Sequence, residues 1–183
     1  MQVRDDLYDP RFEHDACGVG FVADLKNVRS HEVVRKGMKI LLNLDHRGAR
    51  GAEKETGDGA GLLAQLPHAL FLKVFSQLGV DLPEPGGYAI GQSFLPRDEA
   101  AQAGVRQALG RALLELELDV LGWRVVPTDN STLGATALAG EPSVQQVIVR
   151  RPVSCRTQED FERRLFVARK YGTRVVRESV RGA

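Results

Sequence analysis

The sequence predicts an α+β fold in which antiparallel sheet is covered by helices. Two observations carry this. Segments of strand length come in adjacent pairs that alternate with paired helical stretches, and the strands carry polar residues at alternate positions, as half-buried antiparallel strands do. The chain of 183 residues is the size of one hydrophobic core, and 43% hydrophobic with 27% charged residues is ordinary globular usage. That composition argues against disorder. The 19 glycines have no G-X-Y period, which excludes a collagen-like chain.

Residues 1–16 are acidic and aperiodic with a turn signal at Tyr8-Asp-Pro10, and they read as a leader. Cys17-Gly-Val-Gly-Phe-Val-Ala23 is an apolar run of strand length whose glycines permit close backbone approach. From Ser30, an N-cap candidate, Val33, Val34, Gly37, Ile40, Leu41 and Leu44 recur at helical spacing. His46 to Gly61 holds five glycines in sixteen residues, a long turn-rich loop. Leu62–Leu66 is read as a second strand closed by Pro67, and His68–Leu78 as a helix followed by a Pro/Gly turn. Tyr88–Leu95 is the third strand. Asp98 caps a helix with Val105, Ala108, Leu109, Ala112, Leu113 and Leu116 on one stripe. Residues 122–126 and 144–149 are the fourth and fifth strands. Thr157 with Asp160 opens a last helix through about Lys170.

Net charge is +1, so there is no general attraction to nucleic acid or anionic membranes. The charge is uneven: −3 over 1–16, −2 over 17–149 and +6 over 150–183. The basic end carries few interleaved aromatics and reads as a solvated face or one meant for a partner, so nucleic acid is not expected. No apolar run approaches a membrane span and no secretory signal is visible. Two cysteines cannot build a disulfide framework, which suits a reducing cytoplasm.

Cys17 has two readings. It is a small buried hydrophobe, or it is a nucleophile, since the thiolate is the strongest nucleophile a protein offers near neutral pH. Cleavage after Ala16 would free its α-amino group, with an ordinary pKa of about 7.7–8.0, to act as base beside its own thiol. His14 paired with Cys17 is a poor zinc set, and no metal is expected. The stretch Thr56-Gly-Asp-Gly-Ala-Gly61 lacks the spacing of either common nucleotide loop, and Asp58 reads as a turn former. Gly48 reads as a helix terminator, with Arg47 able to bind the last carbonyls; His68 reads as a helix start, and Cys155 sits in a polar loop.

Three motifs in order, Tyr8–Ala23, Leu44-Asp-His-Arg-Gly-Ala-Arg-Gly-Ala-Glu53 and Thr56–Gly61, together resemble one family. They are similar to the amino-terminal type 2 glutamine amidotransferase domain of the glutamate synthase large subunit. The likeness continues through Phe94-Leu-Pro-Arg-Asp98, Val120-Leu-Gly-Trp-Arg124 and Phe161-Glu-Arg-Arg-Leu165. It implies an N-terminal-nucleophile fold, a four-layer αββα sandwich of antiparallel sheets, incomplete in this chain. It implies a leader over 1–16, removed to leave Cys17 at the mature terminus, and the first part of the domain over 17–183. The implied substrate is L-glutamine, attacked by Cys17 through a glutamyl thioester to release ammonia. Arg47 and Gly48 match the family's pair beside the nucleophile.

The family's carboxylate-binding arginine and its Asn-Gly oxyanion pair have no counterpart here. The synthase region with FMN and an iron–sulfur cluster is also lacking, so no cofactor is expected in this chain. The expectation is an amidotransferase that is weak or silent alone, completed by the rest of a glutamate synthase or by a complementing chain. The rivals are a silent half domain serving as a structural or interaction module, and a cysteine hydrolase acting on another amide.

Overall fold

The computed structural model describes residues 18–48, 53, 56, 57 and 59–181. In chain order the elements are α1 (His31–Asn43), α2 (His68–Ser76), β1 (Tyr88–Leu95), α3 (Glu99–Glu115), β2 (Val120–Val125), α4 (Ala135–Gly140), β3 (Ser143–Arg150) and α5 (Gln158–Arg181), with a 3-10 turn at Asp45–Arg47. They divide into two compact units, Met1–Gln65 with Ser131–Ala139, and Leu66–Asn130 with Gly140–Ala183. The α+β class is as expected.

The second unit holds a three-stranded antiparallel sheet in the order β1-β3-β2. β1 pairs with β3 from Tyr88 opposite Arg150 to Leu95 opposite Ser143. On β3, Val147, Ile148 and Val149 are all buried, which is the mark of a central strand covered on both faces. Val147 and Val149 pack with Leu113, Leu118, Phe161 and Ala168 beneath α3 and α5. Ile148 faces the other way, onto Phe71 and Phe75 of α2 and onto Tyr88. Further along that second face, Gln92, Gln146 and Arg124 stand in register. They form a ladder in which Arg124 donates to Gln146 at 2.8 Å and Gln146 donates to Gln92 at 3.0 Å. Beneath α3, Gln145 is 1% exposed, and its amide oxygen accepts from Arg106 while its nitrogen donates to Gln102 and Ser143. A buried amide so satisfied costs little and fixes the register of helix on sheet.

Caps delimit the helices. Asp98 accepts from the Ala101 N–H at 2.7 Å, as its position predicts. Thr157 and Asp160 form a reciprocal capping box at the start of α5, with bonds of 3.0 and 3.1 Å. α2 and α3 both end with a six-to-one bond enclosing a five-to-two bond. In α2 the N–H groups of Val80 and Gly79 reach Phe75 and Ser76; in α3 those of Leu118 and Glu117 reach Leu113 and Leu114. This closure requires a left-handed residue, supplied by Gly79 (φ 69°) and, without the freedom of glycine, by Glu117 (φ 60°). Glu117 is held by Ser154 and by Arg164 at 2.6 Å, and these hydrogen bonds keep its carboxyl below the usual glutamate range.

Three expectations need correction. Residues 18–23 and Leu62–Leu66 are extended segments rather than strands, since neither pairs with a sheet. α5 runs on to Arg181 instead of stopping near Lys170, and it still meets α3 beyond that point, where the Tyr171 hydroxyl donates to Glu115 and Gly172 lies against Leu109. Cys155 is 4% exposed and belongs to the core under α5, not to a solvated loop. Its carbonyl accepts two hydrogen bonds from Arg151 at 3.0 and 2.8 Å, which seal the turn into α5.

Phe75 is 0% exposed between α2 and the sheet, so Phe75→Ala is expected to lower unfolding free energy by about 3–5 kcal/mol. Asp98→Ala, which removes one cap, is expected to cost about 1 kcal/mol. Urea unfolding of both variants checks the order.

Candidate functional site

Of the residues singled out in the sequence, Gly48 and the backbone of Arg47 are described in the first unit, while His68 and Cys155 belong to the second. α1 turns the stripe Val33, Val34, Gly37, Ile40, Leu41 and Leu44 inward, and all six are half-buried. None is fully buried. Ser30 takes the extended N-cap conformation but its hydroxyl makes no capping hydrogen bond. Two extended segments lie over this stripe. A Cβ placed on Gly18 would come 2.9 Å from Leu44 Cδ2, one on Gly20 2.5 Å from Ile40 Cγ2, and one on Gly37 2.8 Å from Leu62 Cδ1. A side chain at any of the three would have to displace the facing methyl group, so the glycines let backbone and helix approach without that shift. A turn at Asp24 reverses the chain between Ala23 and α1: its carboxylate accepts from the N–H groups of Lys26 and Val28.

α1 ends with the Leu44 N–H shared between Ile40 and Leu41, and the chain passes at once into the 3-10 turn Asp45–Arg47. The N–H of Gly48 closes that turn on Asp45 at 3.1 Å, and His46 Nδ1 lies 2.9 Å from the Asn43 carbonyl. Gly18, the residue bonded to Cys17, therefore lies against Leu44, three residues before Arg47. Gly48 has φ −83° and ψ 148°, a conformation open to any residue, and a Cβ there would meet only ordinary contact with the Asp45 carbonyl at 3.5 Å. Among the described residues, neither backbone strain nor packing demands glycine at this position. Cys17, His14 and Asp58 lie outside the described residues, and Arg47 is described by its backbone.

Further along, Glu53 presents a carboxylate that sequence reading passed over. Glu53 accepts from the N–H of Thr136, at 3.0 and 3.1 Å to its two oxygens, and from the Thr56 hydroxyl at 2.8 Å. The Thr136 hydroxyl and the Ala135 N–H add to this set. Thr136 is 83 residues away in sequence, so no local spacing announces the contact. Gly134 makes room: a Cβ there would fall 2.3 Å from a Glu53 oxygen and 2.7 Å from the Thr56 hydroxyl. Outside this unit, His68 does begin a helix, and its Nδ1 lies 2.9 Å from the hydroxyl of buried Tyr88, whose ionisation burial pushes up.

Among the described residues no group of three or more His, Cys, Asp or Glu is placed to hold a metal, and no helix is long and apolar enough to cross a membrane. The sequence matches the family of class-II glutamine amidotransferases over residues 17–182. The chain belongs to that family. Its match begins at Cys17, the residue that reading of the motifs singled out. The amidotransferase chain is 42% identical over 165 residues to the large chain of a glutamate synthase [NADPH] from Bacillus subtilis, covering 90% of this chain and 11% of that protein. It is 39% identical to a glutamate synthase [NADH] of Schizosaccharomyces pombe, covering 93% and 8%, and 35% identical to ferredoxin-dependent glutamate synthase 2 of Synechocystis, covering 86% and 10%. The chain thus spans about a tenth of the length of the curated relatives it matches.

The hydrogen bonds to Glu53, led by that from the Thr136 N–H, hold its carboxyl below the ordinary 4.5. A lowered folded-state value means that the stabilisation is whole above pH 4.5 and is lost as pH falls through the lowered value. Acid titration followed by amide exchange at Thr136 is expected to show this loss, and Glu53→Gln to remove its pH dependence.

Proposed function

We propose that the chain is the glutamine-hydrolysing region of a glutamate synthase, working in a reducing cytoplasm with Cys17 as nucleophile. Residues 1–16 are removed and the freed α-amino group takes the thiol proton. The thiolate attacks the side-chain amide carbon of glutamine, and the tetrahedral adduct collapses with a proton passed to the departing nitrogen. Ammonia leaves and a glutamyl thioester remains. Water then attacks the thioester, giving glutamate and restoring the thiol. Arg47 places positive charge near the sulfur and favours the thiolate, and Gly48 leaves backbone open beside it.

One observation carries this reading: Gly18 lies against Leu44, which draws the start of the matched region towards the turn that bears Arg47-Gly48. The ammonia is passed to a synthase region that aminates 2-oxoglutarate, and FMN and the iron–sulfur cluster belong to that region. This chain holds only Cys17 and Cys155, the latter in the core, so it does not offer the thiolates a cluster needs. The sheet with α3 and α5 on one face supports one sheet-and-helix half of the four-layer sandwich.

A second reading, a silent half domain that must be completed by the remainder of the synthase, is favoured by the thin cover of the first unit. Val19 and Phe21 are each 90% exposed and α1 has no fully buried residue.

Intact mass of the purified protein, before and after 6-diazo-5-oxo-norleucine, separates the two. The first reading expects loss of the leader and one adduct on Cys17, with Cys17→Ala keeping its leader and taking no label. An untrimmed, unlabelled parent chain supports the silent half domain.

A further inference from the structure

We propose that the free edge of β1 is an interaction surface whose partner is β1 of a second copy of this chain, paired antiparallel about a two-fold axis at Gly91. This edge is independent of the glutaminase reading and needs nothing from Cys17. Tyr88 stands opposite Arg150, and the ladder bond beside them runs from the Arg151 N–H to the Gly87 carbonyl at 2.9 Å. That pattern makes Tyr88 and Arg150 a non-hydrogen-bonded pair, so Tyr88, Ile90, Gln92 and Phe94 turn their N–H and C=O groups away from β3. The Arg150 N–H agrees, since it points away from β1 and reaches Asp119 beside β2. Among the described residues no strand takes up the outward groups of β1.

The two edges of the sheet differ. β2 has six residues, carries Arg124 and is interrupted by an irregularity between Val120 and Gly122, devices that blunt an edge. β1 has eight residues in unbroken register, with no charge and no proline. Such a strand meets its own copy without like-charge repulsion. With Gly91 on the axis, Ile90 faces Gln92 of the second copy and Tyr88 faces its Phe94. All four outward residues of each strand are then used, and each facing pair exchanges two hydrogen bonds. An axis one residue nearer Leu95 would set Pro96, which has no N–H, opposite Tyr88. One residue nearer Tyr88 would set Phe94 opposite Gly86, in the turn before the strand. Phe94 is 68% exposed, and the Gly91 axis brings it to the end of the second copy's strand where Tyr88 packs with Phe71 and Phe75 of α2.

The test uses the full chain. Sedimentation over a concentration series is expected to show a monomer–dimer equilibrium, and residue-resolved amide exchange by NMR identifies the surface. The amides of Ile90, Gln92 and Phe94 are expected to exchange about tenfold more slowly once about nine-tenths of the chain is paired, since exchange then passes through the unpaired tenth. Those of Ala89, Gly91 and Ser93, bonded to β3 throughout, are expected to keep their rates. Gln92→Pro removes an outward N–H that β3 does not use, and is expected to give a monomer with the parent's circular dichroism. Phe94→Lys, which sets a charge on the edge, is expected to do the same, and it decides the matter should Gln92→Pro fail to fold. A parent that is monomeric at every concentration overturns the proposal, whether its outward amides are open or already covered by its own chain. So does an oligomer whose outward amides stay open, or one that Phe94→Lys leaves unchanged.

Discussion

The sheet depends on one strand. β1 and β2 never touch each other; each pairs only with β3, which arrives 48 residues after the end of β1 in the case of Ser143 opposite Leu95. Until β3 is in place neither edge strand has a partner, and neither α2 nor the α3–α5 pair has a surface to cover. The three consecutive buried residues Val147, Ile148 and Val149 are the expression of this, since they send apolar side chains into both cores at once. Pairings so distant in sequence carry the loop-closure cost before any contact rewards it, so the second unit should form cooperatively and late rather than hairpin by hairpin.

Periodicity made much of this legible. The stripes of α1 and α3, the bounds of β1, the Asp98 cap and the Thr157–Asp160 box all follow from neighbours in sequence, and local rules report neighbours well. What went astray was decided at a distance. Residues 18–23 and 62–66 have the composition of strands, but a strand exists only when another backbone pairs with it, and these lie on a helix instead. Gly172 lies two residues beyond Lys170, near which α5 was expected to stop. It stands where α5 crosses α3, and a Cβ there would come 2.6 Å from Leu109 Cδ1, so the residue that weakens the helix locally is the one that lets it dock. α4 is six residues of small side chains with no stripe to read, and Glu53 gives no sign of a partner so far along the chain.

The candidate site was legible for a different reason. No single residue there is distinctive: a lone cysteine, an Arg-Gly pair and a glycine-rich loop each have an ordinary structural explanation. Their order and spacing together matched one family, and the amidotransferase assignment over residues 17–182 agrees. The structure adds what spacing alone does not supply, a physical reason for several of the glycines. Gly18 and Gly20 lie against side chains of α1 and its C-cap, and Gly134 against a carboxylate, whereas Gly48 has no such close neighbour among the described residues. Glycines of the first kind are explained by packing; one of the second kind asks for an explanation in chemistry.

This difference divides the molecule by the way it is held. The second unit rests on area: aromatic and branched side chains at a few per cent exposure or less, from Phe75 to Phe161. The first rests on a few directional contacts, because a half-buried stripe and a glycine-rich loop supply little apolar area. Such a unit sits near the low end of local stability, where segments that must rearrange around a substrate are drawn from. Its conformation then rests on a small number of hydrogen bonds, such as those of Glu53 to Thr56 and Thr136, rather than on bulk packing, so removal of one acceptor is felt there without unfolding a core.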